Sequence, residues 1–587
     1  MIHPRRRIFL GLIVAVVLVI GTVALAHHFV SEPSDAPAPL SSEGTPGLPW
    51  FVNVAQTSGI GFRHYDCSTP MQYIQETLGS GLGWIDYNND GWPDLFIVQD
   101  GPIRPGLSAG EAPTNKLYRN NGDGTFTDVT EEVGLARTGF GLGCAVGDFD
   151  NDGWDDLVVT YMGGIVLYHN EPDGTGGRHF VDITAKAGLD NNPHLATSCA
   201  WGDVDGDGLL DLYVCNYVEV DFDHYPECFL EKTGKRYTCP PTYFPNVAHR
   251  LYHNNGNGTF TDISKSSGIA SVVPAPGLAV IMADLDGDGR MDIYVANDLK
   301  AAYLFHNQGN GRFIEQALRS GCGLDSFSLP LAGMGVDAGD LDGSGRPSLF
   351  VTNFQQRPSM LFLNRGGMNF QDGTYPSGLG AASLSRLKFG TVFIDADLDG
   401  NLDIAVANGH VQAKSMEIGG HPTEQEAQLF LGDGHGRFRE VSHEAGTYFN
   451  ERYVGRGLAW ADYDNDGRPD LAYSHVGGPI ALLHNQTETS NNWLRLELIG
   501  DGKKSNRNAI GARVEIHYGD KRQVRFINGG GSYLSANDRR ILAGLGAAQR
   551  AERVLVTWPS GRKQEFHDLQ ARCWYCLTEG QDQPSLK

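Results

Sequence analysis

Short apolar runs recur along the chain, each entered through a polar, acid-rich turn: "DLFI" from Asp94, "DLVV" from Asp156, "DLYV" from Asp211 and "DIYV" from Asp292. Runs this short, rich in β-branched and aromatic residues and bounded by Gly and Asp, predict buried strands. One full unit reads "GLGCAVGDFDNDGWDDLVVTYMGGIVLYHN" followed by "HFVDITAKAGL". It predicts a glycine-rich first strand, an acidic loop, a second strand, a third in "VLYHN" and a fourth in "FVDIT". The same order recurs in "LYRNNGDGTFTDVT" and "LYHNNGNGTFTDIS", where a glycine-rich turn joins strands three and four.

The acidic loop is D-x-D-x-D-G-x-x-D, as in "GDVDGDGLLDLYV" from Gly202. Copies start at Asp86, Asp148, Asp203, Asp284, Asp395 and Asp462, with a worn one at Asp340, and their starts lie 62, 55, 81, 56, 55 and 67 residues apart. Such a period marks a repeat architecture. Seven units of four strands predict an all-β protein built as a seven-bladed β-propeller. The seventh unit has strands at Gly457–Ala461, Leu471–Ser474 and Ile480–His484, after which "NQTETSNNW" supplies no fourth. "FVNVAQTSGI" from Phe51 has the pattern of "FTDVTEEVGL" from Phe126. Phe51 to Val54 is therefore expected to pair beside Leu482 and Leu483, completing the last blade and removing an open sheet edge.

Carboxylates at loop positions 1, 3, 5 and 9 converge on one point and repel one another unless a hard cation lies between them. Ca²⁺ takes about 6–8 oxygens at roughly 2.3–2.6 Å. The candidate ligands are Asp86, Asn88, Asp90 and Asp94; Asp148, Asp150, Asp152 and Asp156; Asp203, Asp205, Asp207 and Asp211; Asp284, Asp286, Asp288 and Asp292; Asp395, Asp397, Asp399 and Asp403; and Asp462, Asp464, Asp466 and Asp470. That allows up to six ions. An EF-hand is excluded, because its position-12 glutamate is replaced by Val159, Val214 or Val295 and strands follow the loop. A single copy fits an ordinary acidic turn equally well; near-intact copies in register favour the ion. In the Asp340 copy Ser344 and Ser348 replace two acids, so weak or no binding is expected there.

This changes the meaning of the net charge of -24, since the seven loops hold 26 aspartates and six Ca²⁺ would return +12. With no basic stripe, nucleic acid is disfavoured as a partner. The N-terminus, "MIHPRRRIFLGLIVAVVLVIGTVALA", places arginines before an uncharged run from Ile8 to Ala26 and predicts export. Residues 1–26 read as a signal peptide, with Ala24-Leu25-Ala26 as a cleavage site, or as a membrane anchor. A Pro/Ser-rich linker fills 27–49. Of the nine cysteines, Cys144 and Cys199 sit in strand positions as core thiols, while Cys228 and Cys239 flank an insertion and are expected to pair in an oxidising compartment. "CWYC" at Cys573–Cys576 lacks the second pair of a zinc site and the His of a haem site.

These repeats resemble the FG-GAP, or VCBS, repeats of integrin α propellers, whose bottom-face loops bind Ca²⁺ through the same pattern. The tail, "NAIGARVEIHYGDKRQVRFINGGGSYLSANDRRILAGLG" with "VLVTWPSG" after it, resembles the ASPIC/UnbV domain. Export signal, propeller and tail in that order resemble the family that includes cartilage acidic protein, a secreted matrix protein. The resemblance implies an integrin-α-like propeller over 50–489, a small β-rich domain over 490–579 and a tail at 580–587.

In a four-stranded blade the one-two and three-four loops share a face, opposite the two-three and four-one loops. Every long insertion falls in a two-three loop: Gly101 to Thr114, Tyr217 to Ala248, and Gly409 to Gln428. Elaborated loops on a rigid scaffold carry recognition. Asn216, Asn297, Asn353 and Asn408 lie five residues past loop position 9 and, with His410, form a candidate ligand face. The same asparagines would equally serve to end strands. The function expected is that of an exported calcium-binding module for protein or polysaccharide at the cell envelope. The competing expectation is a lyase or hydrolase acting on polysaccharide. No Ser/His/Asp order or H-E-x-x-H motif stands out, so no catalytic residue is assigned; Asp221, Asp223 and His224 form the least repetitive acid-imidazole group.

Overall fold

A computed structural model describes residues 48–103, 112–231, 233–411 and 422–587. The expected leader and all but residues 48 and 49 of the expected linker lie outside these residues, as do parts of the three insertions. Among the described residues no helix is long and apolar enough to cross a membrane.

Seven four-stranded antiparallel sheets follow one another along the chain. Their first strands are Leu82–Ile85, Gly141–Gly147, Ala196–Gly202, Gly277–Ala283, Val336–Gly339, Lys388–Ile394 and Gly455–Ala461 (blades 1 to 7). These strands neighbour one another in ring order, the last returning to the first. Most of their residues are buried on both sides, because each blade stacks between two others. That is why first and second strands read as continuous apolar runs rather than alternating ones.

The ring closes through the N-terminal segment. Phe51–Asn53 lies antiparallel to Ala481–Asn485, with Phe51 opposite Asn485, Val52 opposite His484 and Asn53 opposite Leu483. The Val54 amide continues the ladder to the Leu482 carbonyl at 2.8 Å. Phe51 is fully buried and meets Phe449 edge-on at 5.9 Å.

A second repeated contact joins neighbouring blades. The asparagine that ends the third strand donates to a carbonyl in the acidic loop of the preceding blade: Asn170 to Tyr87 at 2.9 Å, Asn254 to Phe149 at 2.7 Å, Asn307 to Val204 at 2.9 Å and Asn364 to Leu285 at 2.7 Å. Asn485 reaches Ala396 and Asn120 reaches Tyr463 in the same way, so the series crosses the closure. Blade 6 has Gly432 at this position. Each bond satisfies a carbonyl that stacking would otherwise bury unpaired.

The C-terminal residues form two further four-stranded sheets. One contains Ile541–Gly546, Asn492–Ile499, Cys573–Thr578 and Ser585–Leu586; the other contains Lys521–Phe526, Arg513–Tyr518, Arg550–Thr557 and Lys563–Gln570. Their core, with Leu494, Val514, Val554 and Trp558, is continuous with that of blades 2 to 4. Between them, residues 528–538 enter the propeller channel. Gly529–Gly530 adds a fifth strand to blade 4. Ser532 donates to Leu458 in blade 7 at 2.6 Å, and Leu534 accepts from Cys144 in blade 2 at 3.2 Å. The Leu534 amide also donates to the Ser198 hydroxyl in blade 3 at 3.0 Å, and Ala536 exchanges backbone bonds with Leu82 and Trp84 in blade 1. Asn528 reaches Ala338 in blade 5 at 3.1 Å, and Tyr533 packs on Phe389 of blade 6 with ring centres 5.0 Å apart. The segment thus touches all seven first strands. Glycine is required at 529, where an added Cβ would lie 1.9 Å from the Trp201 carbonyl oxygen.

Candidate functional site

Each acidic loop is a tight turn wound around its first residue. The Asp148 carboxylate accepts from the Asp152 amide at 3.0 Å and from the Gly153 amide at 2.8 Å; Asp86 does the same with Asp90 and Gly91. Asp203, Asp284, Asp395 and Asp462 likewise hold the amide of the loop glycine at position 6. Position 9 opens the second strand. Asp94, Asp156, Asp211, Asp292, Asp403 and Asp470 are buried, and each accepts from the position-2 amide and from the end of the third strand. For Asp211 the donors are Val204 at 2.9 Å and Asn254 at 2.8 Å. The position-9 acid therefore fixes strand registry as well as facing the loop.

Positions 3 and 5 stand at the rim, partly or fully exposed: Asn88 with Asp90, Asp150 with Asp152, Asp205 with Asp207, Asp286 with Asp288, Asp397 with Asp399, and Asp464 with Asp466. In blade 2, oxygens of Asp148, Asp150 and Asp156 lie within 4.8 Å of one another. Burial pushes Asp86, Asp148, Asp203, Asp395 and Asp462 up to about 7. The donor set fits a hard cation: Oδ1 of Asp462 is buried and has no hydrogen-bond partner. In blade 5 Ser348 takes over the acceptor role toward Asn364 at 3.1 Å, and the Ser344 hydroxyl is buried without a partner.

Four loops gain a residue that the aspartate pattern does not contain. His169 Nε2 lies 3.1 Å from Asp150, His306 Nε2 3.0 Å from Asp286, His253 Nδ1 3.0 Å from Asp211 and His484 Nδ1 3.3 Å from Asp470. Each joins two loop aspartates in a cluster able to hold a metal. Hydrogen bonding to Asp150 and to Asp211 raises His169 and His253 to about 9. The signal was in the repeats, as the His before the terminal Asn of "LYHN", "LFHN" and "LLHN".

The C-terminal domain covers this face. Arg495 Nη1 reaches Asp462 at 3.1 Å, and the Gly544 amide reaches Asp395 at 2.9 Å. Asn508 accepts the Asp148 amide at 2.6 Å, Arg507 donates its amide to Asn151 at 2.8 Å, and Arg540 meets the Gly91 carbonyl at 3.1 Å. Arg539 holds Asp155 through two bonds, 2.9 and 3.0 Å.

At the other end the channel opens on a cavity of about 210 Å³, walled by Tyr217, Leu299, Phe354, Phe389 and Val411, with Asp298 among its few polar groups. Tyr217 donates to Asp298 at 2.7 Å, and burial raises that carboxyl to about 6. The 217–248 insertion is closed by a Cys228–Cys239 disulfide and packs Tyr225 edge-on against Tyr73 at 4.7 Å. Phe229, Tyr243, Phe327 and Leu329 stand exposed on loops of this face. The asparagines sit deeper: Asn216 donates to Ala248 at 2.7 Å, Asn297 to Ala301 at 2.8 Å and Asn408 to Glu426 at 2.7 Å, while Asn353 accepts from Ala332 at 3.0 Å. All four are buried and organise loop backbone. The His410 ring lies edge-on to Phe354 at 5.7 Å, at the cavity wall. His224 and Asp221 pair at 2.8 Å on the exposed insertion, away from that cavity's lining.

Residues 86–159, 148–214, 246–295 and 284–351 match the FG-GAP-like repeat, and residues 502–584 match the ASPIC and UnbV family. The chain is an FG-GAP repeat protein with an ASPIC and UnbV domain. It is similar to cartilage acidic protein 1 of Mus musculus, 25% identical over 511 residues that cover 74% of each chain. Integrin alpha-3 of Mus musculus is 29% identical over 104 residues, 16% of this chain and 10% of that protein. A solved Agrocybe aegerita lectin, described as specific for non-reducing terminal N-acetylglucosamine, aligns at TM-score 0.37 and 16% identity over 67% of this chain and 85% of its own. In this FG-GAP repeat protein the ASPIC and UnbV match includes the segment that fills the channel and most of the surface that covers the loops.

Proposed function

We propose that this protein is an exported, Ca²⁺-stabilised binding module that recognises a protein or polysaccharide at the cell envelope. The observation that carries the reading is the division of faces. One face and the channel are occupied by the C-terminal domain, so recognition falls to the opposite face, with its inserted loops, exposed aromatic residues and cavity. Exposed apolar groups rimmed by polar loops mark interaction surfaces. In this reading up to six ions, one per intact loop, hold the blades and the covering domain together, and the similarity to integrin alpha-3 supports a protein ligand. The proposed layout keeps residues 50–489 as propeller and 490–579 as the covering domain.

A glycan and protein array probed with the full chain in millimolar Ca²⁺ tests this. Hits are expected to weaken at least tenfold in a Phe354→Arg, Phe327→Arg double variant of unchanged melting temperature. Hits that survive both substitutions at full strength place recognition elsewhere and defeat the reading.

A further inference from the structure

At the seam between blades 7 and 1, just after the closing strand, three chemically different donors meet in the interior. His64, Cys67 and Asp100 are 3%, 5% and 0% exposed. His64 is held by its amide on the Gly478 carbonyl of blade 7 at 2.9 Å. Asp100 follows the second strand of blade 1, two residues past Val98, while Gln99 between them clamps the backbone at Arg63 and Tyr65. The seam itself thus brings the donors together. His64 Nδ1 lies 3.2 Å from Asp100 Oδ1, and the Cys67 thiol lies against the same carboxylate.

Neither ring nitrogen of His64 and neither carboxylate oxygen of Asp100 makes a hydrogen bond of acceptable geometry. A histidine and a carboxylate that meet only each other and a thiol in one buried place are costly, since the solvation they lose is poorly replaced. A nitrogen and an oxygen that approach closely without a donor angle have the relation of two ligands on one ion: a tetrahedral site with bonds of about 2.0–2.2 Å has edges of about 3.3–3.5 Å. Two charged or titratable neighbours at the seam are, by contrast, bonded. His475 bonds the Tyr448 hydroxyl at 2.9 Å, and Arg456 is bonded to the carbonyls of Thr77, Gly409 and Gly455.

We propose that His64, Cys67 and Asp100 form a buried site for one zinc-class transition-metal ion, separate from the acidic loops. A thiolate, an imidazole and a carboxylate select borderline ions over Ca²⁺, and three protein ligands leave one position for water. Binding exchanges the thiol proton of Cys67, and the carboxyl proton where Asp100 carries one, for bonds to the ion, with no change of oxidation state. The site ties the segment that follows the closing strand to blade 1.

The test uses the full chain, produced in cobalt-supplemented medium and kept in millimolar Ca²⁺ so that the loops do not compete. One tightly held Co²⁺ per chain is expected, with a thiolate-to-cobalt absorption in the near ultraviolet that Cys67→Ser abolishes and Cys573→Ser leaves unchanged. Absence of the band from the wild-type protein overturns the proposal without reference to any variant. So does a band that survives Cys67→Ser or is lost with Cys573→Ser, since the thiolate would then lie elsewhere. Where Cys67→Ser fails to fold, His64→Gln is expected to keep the thiolate band but to hold cobalt at least tenfold more weakly. Unchanged affinity in that variant also counts against the site.

Discussion

Replacing both Tyr533 and Leu534 with alanine is expected to destabilise the whole chain, not the C-terminal domain alone. Both side chains are fully buried inside the ring. Truncating residues of this size in a core costs about 2–5 kcal/mol each, and adjacent truncations are not strictly additive. Tyr533 also donates to the Leu78 carbonyl at 3.0 Å, which would be left buried and unpaired. Tyr533 and Leu534 belong to one apolar cluster with Leu142, Leu278, Met334 and Phe389 of the channel wall. Gly81→Val attacks the same contact from the ring side, because an added Cβ would sit 1.7 Å from the Leu534 carbonyl oxygen. Calorimetry should show one transition in the wild type and a lower one in either variant. A propeller that melts at its wild-type temperature in both would mean that the segment fills the channel without supporting it.

Chelation is expected to produce the second large effect, one that depends on pH. Ions that bind only the folded chain stabilise it by RT ln(1 + [L]/Kd), and extracellular modules have Kd of about 10⁻⁴–10⁻³ M. Several sites at millimolar Ca²⁺ therefore add several kcal/mol between them. Without the ion, Asp86, Asp148, Asp203, Asp395 and Asp462 titrate near 7 because burial disfavours their charge, against an ordinary value of 3.8. Between those values the folded chain holds more protons than the unfolded one, so apo stability falls as pH rises from about 4 to about 7. In EGTA the melting temperature should be higher at pH 5 than at pH 7.5. In saturating Ca²⁺ the order should reverse, because protons then compete with the ion. Identical melting with and without the ion at pH 7.5 would remove its structural role.

The ring was legible because each blade repeats a short local code. The aspartate loop marks the turn between strands one and two, the glycine turn marks that between three and four, and the missing fourth strand of blade 7 points back to Phe51. The acidic clusters followed from the same spacing. The channel segment was not legible. "NGGGSYLSAND" has no strand or helix period, and burial of Leu534 depends on seven strands brought together only by closure. Gly529 is required by Trp201, more than 300 residues away in sequence, which no local pattern encodes. The loop histidines lay in plain view in the repeats. They pass for strand ends until the third strand's register places them beside the preceding acids. The asparagines Asn216, Asn297, Asn353 and Asn408 have a spacing that suits a rim and backbone organisation equally. Only burial shows which groups they meet.

Anomalous diffraction from crystals of the full chain grown in Ca²⁺ would show whether the loops are ion sites holding blades and covering domain together. Peaks are expected in the loops of Asp86, Asp148, Asp203, Asp284, Asp395 and Asp462, and none or a weak one in the loop of Asp340. Peaks absent from the six, or a peak at Asp340 as strong as that at Asp203, would contradict that role.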